Sequence, residues 1–233
     1  MILEGLLSSL FGLLIGSFLN VCIHRMPLDL SVVSPRSSCP SCGKQIAWFD
    51  NVPVLSYALL RGRCRHCKAP ISFRYPAVEF LTGAMFFLAG YSMGLTAETA
   101  KFCTFAAIQV ALIFTDLEHR ILPDEFTLGG IAAGLLFAIL VPFESGMAHL
   151  FLPVTWPTAA LSLAESVLGA AFTGLTLWFV GWLYEKIRRR EGLGLGDVKM
   201  VAMIGAFLGV QRTLLTLIAG SLLGSLIGLL FIL

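Results

Sequence analysis

GLGLGDVKMVAMIGAFLGV, residues 192–210, sets one acidic side chain, Asp197, behind three alternating glycines and directly before an apolar run that starts at Val198. A carboxylate at such a place is costly, because little water is available to solvate its charge, and a costly charge usually marks function. Gly192, Gly194 and Gly196 have no Cβ, so another backbone can come close to them. The plainer reading is a glycine-rich loop whose aspartate caps a helix N-terminus. A second acid at the same level would separate the two readings.

The surrounding composition puts this stretch in a membrane. The chain has 233 residues, 57% hydrophobic and 13% charged, with a mean hydropathy of +0.87, which excludes a soluble domain of ordinary composition. We expect an all-α polytopic membrane protein with apolar spans at 1–23, 77–95, 102–115, 126–142, 159–184, 198–211 and 213–233. The polar-poor stretch 147–164 has room for an eighth, short or interfacial helix. Residues 1–23 lack a basic n-region and a small-residue cleavage site, and read as a retained first transmembrane helix. Residues 24–76 form the one substantial soluble segment, and 77–233 the membrane-embedded domain that carries the acids.

Charge sets the orientation. Of the sixteen Lys and Arg residues, fourteen fall on one predicted side: eight between the first two spans, Arg120 after the third, and Lys186, Arg188, Arg189, Arg190 and Lys199 around the glycines. Only Lys101 and Arg212 fall on the other. Basic residues stay in the cytoplasm, so the N-terminus is predicted outside, and the soluble segment and the C-terminus inside. The net charge of +2 carries little information, and no nucleic-acid partner is expected.

Within the soluble segment, Cys39-Pro40-Ser41-Cys42 and Cys64-Arg65-His66-Cys67 are two C-x-x-C pairs separated by 21 residues. Each pair can offer two thiolates to one ion, and four thiolates complete a closed tetrahedral zinc shell. A reducing cytoplasm makes disulfides the weaker reading. Cys22 and Cys103 lie in apolar spans and read as small buried hydrophobes.

Three polar residues at the membrane edge stand out. Asn20, near the inner end of the first span, needs partners for its amide, while Arg25 could anchor to lipid phosphate or to a charged ligand. Glu79, at the mouth of the second span, is either a tolerated interfacial acid or a working carboxylate.

Four acids occur between Asp116 and Glu125, on the same predicted side as Asp197. Spacing selects Asp116: Lys101 to Asp116 and Arg212 to Asp197 are both 15 residues, in spans that run opposite ways. At about 1.5 Å per helical residue, both acids lie roughly 22 Å from the outer anchors, and so at matching depth. Two carboxylates meeting there share one proton. That arrangement suits hydrolysis of a peptide bond, one acid activating water while the other protonates the leaving group.

These residues resemble a known family, the bacterial type IV prepilin peptidases, which are bifunctional leader peptidases and N-methyltransferases. The resemblance is carried by GSFLNVCIHRMP at 16–27, CPSCG at 39–43, NVPVLSY at 51–57, RGRCRHC at 61–67, ISFRYPAVE at 71–79, DLEHRILPD at 116–124 and GLGLGDVK at 192–199, over nearly the whole chain. It implies that Asp116 and Asp197 are the catalytic pair of a GxGD aspartic protease, and that Cys39, Cys42, Cys64 and Cys67 hold structural zinc. It implies a prepilin or pseudopilin substrate of a type IV pilus or type II secretion machine, cut at the cytoplasmic face of the inner membrane. It further implies methylation of the new N-terminus from S-adenosylmethionine. No strand, glycine loop and helix unit for that cofactor is visible, so Asn20, Arg25 and Glu79 are offered for the methyl-transfer region beside the cysteine segment. Family descriptions commonly give eight spans where this reading counts seven. Two other classes stay open on the residues alone: a transporter whose acids form a relay, and a zinc-dependent scaffold of a pilus or secretion machine.

Overall fold

Ile2–Arg25 forms one unbroken helix, α1, because apolar and small residues run to its end and Pro27 then prevents its continuation. The computed structural model describes residues 1–153, 155–190 and 192–232. Beyond α1, its helices are α2 (Leu55–Leu59), α3 (Arg74–Met93), α4 (Ala97–His119), α5 (Asp124–Leu140), α6 (Ala148–Phe151), α7 (Thr158–Arg188) and α8 (Leu195–Ile232). No strand occurs among the described residues; the only extended pairings are two isolated bridges in the cysteine segment.

Helix fills most of each of the seven apolar stretches, and the break in α8 falls at Gly209, inside 198–211 rather than at the 211–213 boundary expected from the sequence. The φ of 75° and ψ of 176° at Gly209 are non-helical, so α8 is two helices joined at that residue. Among the described residues, four helical segments, Ile2–Leu28, Ala97–His119, Thr158–Arg188 and Leu195–Phe231, are both long and apolar enough to cross a membrane. α3 and α5 are shorter, at 20 and 17 residues. The stretch 147–164 holds the single turn α6 and the start of α7.

The chain divides into two compact units, Met1–Phe126 and Thr127–Leu233. In the first, α1 and α3 pack antiparallel along a seam of small residues. A Cβ placed on Gly12 would lie 2.8 Å from Phe86 Cβ, and one on Gly16 would lie 2.7 Å from the Cα of Glu79. Small residues of this kind let membrane helices approach closely where lipid gives no hydrophobic drive between them. Leu19 and Ile23 of α1, Val78 of α3, and Val110 and Ala111 of α4 form the buried core. Thr96 caps α4 by accepting the Thr99 N–H at 3.2 Å, and Arg120, in the left-handed region at φ 54°, ends it.

In the second unit, the first half of α8 is buried against α7 and α5. Met203, Ala206 and Phe207 are at most 1% exposed. Hydroxyls tie the helices together: Ser166 donates to the Ala206 carbonyl at 2.6 Å, and Ser162 to the Ala138 carbonyl at 2.6 Å. The second half of α8 shows its apolar side chains outward, as a lipid-facing helix does.

Candidate active site and metal centre

The two cysteine pairs fold into matching knuckles. In the first, Cys39 N–H donates to the Lys44 carbonyl at 2.9 Å and Gly43 N–H to the Cys39 carbonyl at 2.8 Å; in the second, Cys64 N–H donates to Ala69 at 2.8 Å and Lys68 N–H to Cys64 at 3.0 Å. Each knuckle turns through a left-handed residue, Gly43 at φ 68° and Lys68 at φ 61°, and closes on a bridge, Ser38 to Gln45 and Arg63 to Pro70. The four sulfurs all lie within 4.8 Å of one another, and Cys39 Sγ is 3.8 Å from Cys67 Sγ. A tetrahedral ion with sulfur ligands at about 2.3 Å requires sulfur separations of about 3.8 Å, so this donor set fits zinc.

The electrostatics agree with that fit. The backbone N–H groups of Cys42 and Ser41 hold the Cys39 thiol down to about 6 against the opposing effect of burial. Those of Cys67 and His66 lower Cys64 in the same way. For Cys67 the Ala69 N–H pulls downward, but burial and the neighbouring sulfurs of Cys64, Cys42 and Cys39 outweigh it and push that thiol up to about 11. Two thiolates are favoured, further ones repel, and a dication relieves that repulsion.

Beside the knuckles, wholly within the first unit, lies a cavity of about 830 Å³. Asn20, Arg25 and Glu79, singled out separately in the sequence, line this one space together with Cys39 and Cys64. Antiparallel packing of α1 and α3 is what brings them there. Asn20 Nδ2 donates to the Tyr75 carbonyl at 3.0 Å, and one turn away Gly16 packs on Glu79. Asn20 is 3% exposed, and its Oδ1 has no hydrogen-bond partner. Glu79 accepts the Val54 N–H at 2.7 Å. Val54 stands at φ 60° and ψ −47°, a region that a β-branched residue occupies only under strain of roughly 1–3 kcal/mol, held here by the carboxylate. Arg25 donates to the carbonyls of Ser31 and Pro35, both at 2.8 Å, and so braces the cavity wall.

The two aspartates are in different units. Asp116 is exposed in the last turn of α4, whereas the sequence reading had placed it just beyond the third span; the cap at Arg120 extends the helix past it. Asp197 is half-buried in the first turn of α8, where its N–H donates to the Gly194 carbonyl at 3.2 Å. Each carboxylate therefore sits on a helix end rather than on a free loop.

Two groups escaped the sequence reading. Arg74 pairs with Glu118 across 44 residues, a contact that no local pattern announces. Glu165, 3% exposed inside α7, accepts the Ala148 N–H at 2.8 Å and the Val210 N–H at 3.1 Å. The signal for Glu165 existed, since an acid within 159–184 carries the same cost as Asp197.

Comparison with known proteins divides the chain ahead of α4's middle rather than at Phe126. The model of the bacterial peptidase A24 N-terminal domain matches residues 10–93, and that of the type IV leader peptidase family matches residues 103–229. The chain belongs to the type IV leader peptidase family. The first match contains the four cysteines, Asn20, Arg25 and Glu79, and the second contains Asp116 and Asp197. Among its relatives are three proteins described as prepilin leader peptidase/N-methyltransferase. That of Myxococcus xanthus (strain DK1622) is 42% identical over 225 residues, covering 95% of this chain and 61% of the relative. Those of Aeromonas hydrophila and Klebsiella pneumoniae are 36% and 39% identical, covering 94% and 91% of this chain and 78% and 88% of the relatives. The chain thus spans less than two thirds of the Myxococcus relative. No solved structure matches it significantly. Membership of a leader peptidase family does not favour the transporter or scaffold readings.

Proposed function

We propose that this chain is an intramembrane aspartic endopeptidase. It removes the leader from a type IV prepilin or pseudopilin at the cytoplasmic face of the bacterial inner membrane, and it N-methylates the new N-terminus from S-adenosylmethionine. Membership of the type IV leader peptidase family carries this reading, because that match spans both helices that bear the aspartates. In this reading the charge distribution sets the soluble segment and the C-terminus in the cytoplasm and the N-terminus outside. The substrate's apolar helix lies in the bilayer while its basic leader stays with the cytoplasmic charges.

Asp116 and Asp197 act as an acid and base pair. One carboxylate takes a proton from water as the water attacks the scissile carbonyl; the other, protonated, polarises the carbonyl oxygen and then supplies the proton that the departing amine needs. Gly194, where a Cβ would meet only the Asp197 carboxylate and the Gly196 nitrogen, leaves space for the substrate backbone beside that carboxylate. Cys39, Cys42, Cys64 and Cys67 hold zinc, which supplies folding free energy to a segment with little core of its own. Four sulfur ligands leave no open position, so peptide hydrolysis is assigned to the aspartates. The cavity lined by Asn20, Arg25 and Glu79 serves methyl transfer.

Purified Asp116→Asn and Asp197→Asn proteins, inserted and with zinc content unchanged, are expected to lose prepilin cleavage by about a thousandfold or more. Cleavage retained by both variants would sink the assignment.

A further inference from the structure

We propose that Asn20 and Glu79 form an amine site on the floor of the cavity in the first unit, where Glu79 accepts the proton that the substrate's N-terminal ammonium must shed before methylation. The assignment rests on the methyl-transfer half of the proposed function and adds to it the residues that hold the acceptor.

Three observations converge on it. First, Asn20 Oδ1 is a buried acceptor with no partner, in a side chain whose amide nitrogen is already committed to Tyr75. An orphaned acceptor of that kind costs roughly 1–3 kcal/mol unless something donates to it. Second, Glu79 of α3 lines the same cavity, its carboxylate fixed by the Val54 N–H. The strained backbone of Val54 donates its N–H to this carboxylate, as is common where a site is built in advance. Third, the cavity is large enough, at about 830 Å³, for a nucleoside-sized methyl donor together with the first residue of a peptide. Two acceptors lining one cavity suit a donor-rich cation, and an N-terminal ammonium offers three N–H groups.

The chemistry balances on these residues. Glu79 takes one proton from the ammonium. The freed nitrogen lone pair bonds to the methyl carbon of the sulfonium donor, while the carbon–sulfur pair leaves with sulfur as a neutral thioether. Asn20 Oδ1 accepts from a remaining N–H and aims the lone pair. Glutamine at position 79 keeps an oxygen for the Val54 N–H but cannot take a proton.

The test uses the full-length protein in nanodiscs and a pre-cut acceptor peptide with a free N-terminal amine, so that methylation is read apart from leader removal. Glu79→Gln is expected to lower methylation about 100-fold or more. Affinity for S-adenosylhomocysteine, read by calorimetry, should hold within about threefold. Asn20→Ala should raise the KM for the peptide about tenfold, the worth of one hydrogen bond to a charged group. A second readout involves no turnover: N-acetylated peptide should bind the wild type about tenfold more weakly than free peptide, and Glu79→Gln should erase that difference. Wild-type methylation rates in both variants, or equal binding of the two peptides by the wild type, overturn the assignment. A wild type that neither methylates the pre-cut peptide nor binds S-adenosylhomocysteine overturns the methyl-transfer reading itself, and the amine site with it.

Discussion

Glu165 Oε1 accepts the N–H of Val210 at 3.1 Å and so satisfies the donor that the break at Gly209 frees within α8. Its other oxygen takes the Ala148 N–H at 2.8 Å, which ties the segment between α5 and α7 to the same point. A buried carboxylate committed to two backbone donors in a helix interior is an architectural part, and a costly one to remove. Glu165→Ala is expected to cost about 2–5 kcal/mol, since it strands two buried N–H groups and leaves a void. Glu165→Gln keeps one oxygen and should cost roughly half as much. Thermal melting in detergent ranks the two variants; equal Tm values for Glu165→Ala and wild type would refute the role.

Gly209 is the complementary test of the same joint. Its φ of 75° disfavours any side chain, and a Cβ there would lie 2.8 Å from Glu165 Oε1. Gly209→Ala should therefore lower stability by about 1–3 kcal/mol, opposite in sign to the gain usual for replacing a helical glycine. A higher Tm for Gly209→Ala would contradict the break.

The seam between α1 and α3 predicts a graded response. A methyl group at Gly16 meets the backbone of Glu79 rather than a side chain that can swing aside. Gly16→Ala should cost about 1–3 kcal/mol by forcing the helices apart. Because this seam brings Asn20 to Tyr75, the variant should also lower methylation more than leader cleavage. Separate assays of the two activities on one preparation measure this.

Zinc content distinguishes the cysteines by place. Cys39→Ser should abolish stoichiometric zinc and local order in the soluble segment, whereas Cys22→Ser, buried in α1, should leave zinc unchanged. Metal analysis of the two purified variants decides it; full zinc in Cys39→Ser would remove the ligand assignment.

Asp50 and Arg65 pair through Arg65 Nε and Nη2, the latter at 2.6 Å from Asp50 Oδ1. This contact ties the second knuckle to the turn at Trp48–Asn51. Hydrogen bonds from Arg65 hold the Asp50 carboxyl below its ordinary value of 3.8. The folded state thus binds the proton less tightly than the unfolded chain, so the stabilisation is present above the ordinary value and fades as pH falls through the lowered one. The Tm gap between wild type and Asp50→Asn should be constant from about pH 7 to pH 5 and shrink below that. A gap that widens on acidification would contradict the pairing.

The sequence by itself determined the class of fold and the cysteine pairs, because each of these is written over short separations. Twenty apolar residues demand a helix wherever they are met, and C-x-x-C makes a knuckle within seven or eight residues of chain. Asn20, Arg25 and Glu79 could be marked individually as polar groups in expensive places, yet nothing local said that they share a cavity. Nor did the sequence say that the Arg25 guanidinium braces a loop, that Val54 is strained onto Glu79, or that Asn20 keeps an acceptor unused. Only the tertiary structure decided these points. They depend on α1 and α3 meeting across some fifty-five residues, at a distance set by whether a glycine or a larger residue stands in the seam. Contacts of that range belong to no periodicity in the chain, and they exist only once the helices have packed.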